Sequence, residues 1–94
     1  MLFAVQAFDR QGALPVRQAN YDAHRAFLND TQRFGVEIVM SGPLVADDGE
    51  TPIGSLFVVE APDRASVEKF HQADPFSSAA VFERSHIVGF IRRR

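Results

Sequence analysis

Residues 36–60, VEIVMSGPLVADDGETPIGSLFVVE, decide the fold. Val36 to Met40 reads as a strand that ends at the breaker Ser41-Gly42-Pro43, and Ile53 to Glu60 reads as another, rich in Val and Phe. Asp47-Asp48-Gly49 supplies the turn between them. Two consecutive strands with no helix between them form the middle of a larger pattern, whose outer parts lie on either side. Upstream, Leu2 to Phe8 reads as a first strand, and Pro15 opens a helix that Gly35 closes. Val16, Ala19, Ala23, Phe27 and Phe34 form its apolar stripe. Downstream, Pro62-Asp63 opens a second helix that buries Val67 and Phe70. Asp74-Pro75 then reads as an N-cap followed by Pro at the first helical position, starting a short helix through Ala80. Glu83 to Ile91 is the last strand.

The order is βαββαβ with a short extra helix before the last strand. This is the ferredoxin-like, split βαβ arrangement of the α+β class, with both helices on one face of an antiparallel sheet. The strands lack the polar alternate positions of a sheet with one wet face. The first puts Leu2, Ala4 and Phe8 on one side and Phe3, Val5 and Ala7 on the other, and the third opposes Phe57 and Val59 to Leu56 and Val58. Two helices cover one face only, so a homodimer joined through the other face is expected, the alternative being cover by the short helix and the long loops.

The 94 residues make a single domain, 1–94. Hydrophobic residues at 46% and charged residues at 23% exclude a disordered chain. There is no cysteine, hence no disulfide framework and no thiolate metal site. Ten basic residues against twelve acidic ones give a net charge of −2, and three of the ten are the terminal Arg92, Arg93 and Arg94. A nucleic-acid binder would carry a basic face, so nucleic acid is not an expected partner. No apolar run approaches the ~18–20 residues that span a bilayer, and no membrane partner is expected. The opening MLFAVQAFD lacks a basic n-region and alternates like a strand, so the cytoplasm is the expected compartment.

Phosphate-binding glycine loops, HExxH and GxSxG are all missing, and with no close histidine pair neither a metal nor a cofactor is expected. Chemistry is left to acid–base work by one of three imidazoles, His24, His71 and His86, with a carboxylate. His24 lies roughly 60° from Phe27 around its helix, at the edge of the apolar stripe, which would half cover it. Arg17 and Leu28 flank it on the same side. Asp74 is sufficiently explained as a helix cap, but capping uses one carboxylate oxygen and leaves the other for an imidazole N–H. Ser41-Gly42-Pro43 is first a turn, whose hydroxyl and backbone amides also suit a substrate oxygen. His71 reads as a solvated or boundary residue, and His86 as lying on the covered face or at the dimer seam. Tyr21 either donates its hydroxyl to a ligand or packs the stems of Arg17 and Arg25.

Several of these pieces occur together in one known family. MLFAV at the start, His24 in YDAHRAFL, Gly35, Ser41-Gly42-Pro43, Gly54, Asp74-Pro75-Phe76 and the closing Ile87 to Phe90 resemble the YCII-related family of small dimeric α+β proteins, across the whole chain. The resemblance implies a ferredoxin-like protomer paired as in dimeric α/β barrels, and a His–Asp active-site dyad that maps onto His24 and Asp74. Ser41, Arg17, Gly42 and Phe76 are the substrate contacts expected around it. Members connected with haloaromatic breakdown are dehydrochlorinases, and most others have no assigned reaction. The chain departs from the family pattern at Ala80, where glycine is usual, and at Gly89, where proline is frequent.

The resemblance therefore implies a cofactor-independent acid–base enzyme, lyase or dehydrochlorinase-like, acting on a small aromatic or enolisable molecule. The competing expectation is a non-catalytic dimeric module that binds a small ligand or a partner. A haem- or oxygen-using monooxygenase of the related barrel group is a third.

Overall fold

Alternation along β1 (Leu2–Asp9) sorts the two faces of the sheet: Phe3, Val5 and Ala7 are buried, while Leu2, Ala4 and Phe8 are only half-buried. The computed structural model describes residues 1–94. After β1 come α1 (Leu14–Ala19), α2 (Tyr21–Leu28), a 3-10 turn (Gln32–Phe34), β2 (Glu37–Val45), β3 (Pro52–Glu60), α3 (Arg64–Ala73), α4 (Pro75–Ser78) and β4 (Phe82–Phe90). The sheet order is β2-β3-β1-β4 with every neighbour antiparallel, which is the ferredoxin-like topology of an α+β protein. No helix is long and apolar enough to cross a membrane.

The helices cover the face carrying Phe3 and Val5. Phe27 of α2 stacks on Phe70 of α3 at 5.4 Å, and Phe70 meets Phe57 of β3 edge-on at 5.8 Å. Val36, Val59, Ala61 and Val67 complete this core. A smaller cluster of Ala13, Phe76 and Val81 fills the end of the sheet beneath α4. The opposite face has no cover within the chain. Met40 is 56% exposed, Val88 51% and Phe90 42%, and His86 lies there beside Phe8, with ring centroids 6.4 Å apart.

Two sequence expectations fail locally. The helix expected from Pro15 to Gly35 is broken twice. Asn20, at φ −105° and ψ 7°, separates α1 from α2, and its side-chain amide donates to the Val16 carbonyl at 2.9 Å. An Asn side chain that bonds nearby backbone competes with the helix in this way. The strand expected to stop at Ser41-Gly42-Pro43 instead runs through it, with Ser41 opposite Phe57 and Pro43 opposite Ser55. It survives because β2 is an edge strand, where a proline without an N–H can face away from the ladder. Register shifts between Ile38 and Met40 and between Leu44 and Val45 bend it.

At the other end of the site, Pro75 disfavours helical geometry in the residue before it. Asp74 therefore adopts φ −60°, ψ 130°, ending α3 and capping α4 at once. Helix α4 closes in a Schellman motif: Val81 N–H bonds the Phe76 carbonyl at 3.0 Å and Ala80 N–H that of Ser77 at 3.1 Å. The motif requires a left-handed residue, and here it is Ala80, at φ +57°. Ala80 thus occupies a position where glycine is physically favoured.

Candidate functional site

A cleft of about 450 Å³ opens between the α1–α2 pair and the ends of β2 and β3. Arg17, Tyr21, His24 and Leu28 line one wall at helical spacing, so the break at Asn20 leaves the lining face continuous. Ser41, Gly42 and Pro43 form the facing rim, with Ser55 and Phe57 as the floor. Of the residues singled out in the sequence, Arg17, His24, Ser41, Gly42 and Phe76 all line the cleft. Asp74 does not: it is fully buried behind His24.

His24 and Asp74, fifty positions apart, are joined by a hydrogen bond of 2.8 Å from the imidazole Nδ1 to the carboxylate Oδ1. The same Oδ1 accepts the Phe76 N–H at 2.9 Å. The expected division, one oxygen for the cap and one for the imidazole, is therefore incorrect. The extended conformation of Asp74 aims one oxygen at both donors, and Oδ2 is left buried without a partner. Nδ1–H donation to the carboxylate leaves Nε2 as the lone-pair nitrogen. Nε2 makes no hydrogen bond and is not sealed from solvent.

His24 is more deeply covered than a boundary residue, at 8% exposure. Its ring lies flat against Phe76, with centroids 4.0 Å apart and planes 8° apart, and meets Phe57 edge-on at 6.0 Å. Phe76 is held by its backbone on the Asp74 cap and by its side chain in the cluster with Ala13 and Val81. Imidazole, carboxylate and aromatic wall are thus fixed by one short helix.

Arg17 has a partner that the sequence reading did not find. Its Nε and Nη2 each donate to Asp9 at 2.8 Å, and Nη2 also donates to Ser55 Oγ at 2.9 Å. Both side chains of the pair are more than nine-tenths buried. The guanidinium carbon sits 4.6 Å from the centre of the Phe76 ring. Arg17 is therefore first a brace between β1, α1 and β3, with only Nη1 uncommitted. By donating to Ser55 Oγ it leaves that hydroxyl hydrogen free to point elsewhere. Ser55 was overlooked, because a lone serine in an apolar strand carries no signal beyond its inward register.

His71 departs furthest from expectation. It is buried, not solvated: Nε2 is 2.8 Å from Ser85 Oγ, the ring stacks on Phe82 at 5.5 Å, and Nδ1 is buried without a partner. Burial pushes its pKa below the ordinary 6.5, and the Asp74 charge offsets part of that shift.

The sequence profile of the YCII-related domain matches residues 1–91. No curated protein sequence matches the chain. Among solved structures, the chain is similar to 5-chloro-2-hydroxyhydroquinone dehydrochlorinase (TftG) from Burkholderia phenoliruptrix AC1100, in complex with 2,5-dihydroxybenzoquinone. The identity is 32% over 97% of this chain and 94% of that one, with a TM-score of 0.82. It is also similar to an antibiotic biosynthesis monooxygenase, at 19% identity over the whole of both chains and a TM-score of 0.55. A NIPSNAP domain protein from Burkholderia xenovorans is 14% identical over 98% of this chain and 94% of that one, with a TM-score of 0.52. The last two likenesses concern the fold alone.

Proposed function

The chain belongs to the YCII-related family, and from that premise we propose that it is a dehydrochlorinase-like acid–base enzyme, acting without a cofactor on a small aromatic or enolisable molecule. The observation that carries the reading is the aim of His24, with Nδ1 held by a buried carboxylate and Nε2 facing the cleft. Nε2 takes a proton from a hydroxyl or an activated carbon of the substrate. For a chlorinated phenol, one phenolic proton first moves to the ring carbon that carries chlorine, giving the keto tautomer with a tetrahedral C–Cl carbon. The electron pair left by the deprotonation at Nε2 then forms a carbonyl, shifts the intervening double bond and expels chloride with the C–Cl bonding pair, so the products are the quinone (or unsaturated ketone) and HCl. Asp74 holds the tautomer and balances the imidazolium that forms. The Ser41 and Ser55 hydroxyls donate to the oxygen on which negative charge develops. Leu28, Pro43 and Pro52 supply apolar walls for a ring, and the buried Phe76 and Phe57 back the imidazole.

The same reading has the chain working in the cytoplasm as a homodimer through the uncovered sheet face, where Met40, Val88 and Phe90 are exposed. The test is chloride release from 5-chloro-2-hydroxyhydroquinone and from related chlorinated phenols. Wild type is expected to turn over at least one of them, and His24→Gln to lose about 10²–10⁴-fold. Equal turnover by wild type and His24→Gln would refute the proposal. Binding of these phenols without turnover would favour the non-catalytic ligand-binding module.

A further inference from the structure

The cleft has a charge character opposite to that of the chain as a whole. Twelve acidic residues outnumber ten basic ones, yet no Asp or Glu lines the cleft, while Arg17, Arg25 and His24 do. The two carboxylates that come closest are turned inward. Asp9 is bound in two places by Arg17, and Asp74 by His24 and the Phe76 N–H. Neither carboxylate lines the open space, which meets the His24 nitrogen, the two arginines and the neutral polar groups of Gln18, Tyr21, Ser41 and Ser55.

Arg25 is the cation with nothing to neutralise it. It makes no ion pair, and its guanidinium carbon lies 5.7 Å from the centre of the Tyr21 ring at the cleft wall. The Tyr21 face positions the group without lowering its charge. On the inner side, Nη1 of Arg17 is free. Beside these cations stand Leu28 and the rings of Pro43 and Pro52, accessible apolar surfaces backed by the buried Phe57 and Phe76, which suit a flat body and disfavour a compact, strongly hydrated anion.

We propose that the cleft selects a planar, singly charged oxyanion of about one ring in size, with Arg25 as the residue that selects the charge. The inference deepens the reading of this cleft as a substrate site, and rests on it. A ring oxyanion placed with its flat face on the apolar wall can reach the arginines with its oxygen while an acidic group faces His24 Nε2. A neutral ring of the same shape gains the walls but not the charge.

The test uses benzoate and benzamide, which match in shape and differ in charge, titrated into the full-length protein and followed by amide chemical shifts at the cleft. Wild type is expected to bind benzoate more tightly than benzamide. Arg25→Gln weakens benzoate about five- to tenfold and leaves benzamide unchanged. A tenfold rise in salt weakens benzoate alone. Equal affinity for the two probes overturns the proposal, as does equal loss of both in Arg25→Gln, or no cleft shifts with either. A protein that discriminates the pair but releases no chloride from any phenol keeps the charge selection and refutes the acid–base reading.

Discussion

Replacing Asp74 by Asn and by Ala separates the two tasks of its carboxylate. In wild type one oxygen accepts from His24 Nδ1 at 2.8 Å and from Phe76 N–H at 2.9 Å, in a position with no exposure. Alanine removes the cap, a loss of about 1 kcal/mol. It also leaves buried donors unpaired, at about 1–3 kcal/mol. A total near 3 kcal/mol lowers the melting temperature of a domain of this size by roughly 12–24 °C. Asparagine keeps an oxygen for the Phe76 N–H and fills the same volume, but its amide group takes the unpartnered place of Oδ2, so stability falls by about 1–3 kcal/mol while the cap is kept. It loses the charge that fixes the imidazole tautomer, and turnover in the chloride-release assay falls about 10³–10⁴-fold. Thermal melts followed by circular dichroism give the first quantity. Nitrogen-15 shifts of the His24 ring report the tautomer without any substrate: Nδ1–H in wild type, a mixture in Asp74→Asn. An asparagine variant that keeps turnover within about tenfold of wild type, with an unchanged tautomer, makes Asp74 a helix cap only and sinks the dyad.

Three further outcomes follow from the packing around the site. The lowered pKa of buried His71 means that below pH 6.5 the unfolded chain takes up a proton that the folded state resists. Its contribution is therefore fully present above pH 6.5 and is lost as pH falls through the lowered folded value; urea unfolding at stepped pH should show wild type losing more stability on acidification than His71→Gln. Ala80→Gly relieves a left-handed alanine at φ +57° and is expected to stabilise by about 1 kcal/mol, raising the melting temperature by roughly 4–8 °C; a lower melting temperature would contradict the strain. Arg17→Met leaves Asp9 buried without a partner and is expected to cost about 3–5 kcal/mol, whereas Arg17→Met with Asp9→Leu recovers most of it. Additive losses in that double-mutant cycle, read from urea midpoints, would show the pair to be uncoupled.

Much of what depends on neighbours in sequence was legible in the sequence, although the break at Asn20 was not. Alternation in Leu2–Phe8 and Ile53–Glu60 marked strands because a pleated chain alternates its faces. The Asp74-Pro75 cap was readable because proline restricts the residue before it. The order of elements then limited the sheet to few topologies, and the apolar character of both faces meant that two helices could cover only one of them. Positioning His24 at the edge of its stripe and placing Ser41, Gly42 and Phe76 near it also required no more than helix spacing and the family resemblance.

Tertiary structure alone decided which groups meet across the chain, because a sequence pattern states which face a side chain occupies and not what stands opposite. Arg17 looked like a free substrate contact until the end of β1 brought Asp9 to it and β3 brought Ser55. His71 looked solvated or at a boundary because its partner, Ser85, lies on β4 and its cover is Phe82. Ser41-Gly42-Pro43 looked like a stop until β2 took an edge, where its missing N–H is harmless. The hydrogen bond from His24 to Asp74 spans fifty residues, and its geometry, one oxygen serving both cap and imidazole, follows from how α4 packs beneath α2. Local propensity fixes the direction of a side chain; only the closed core fixes its distance from another.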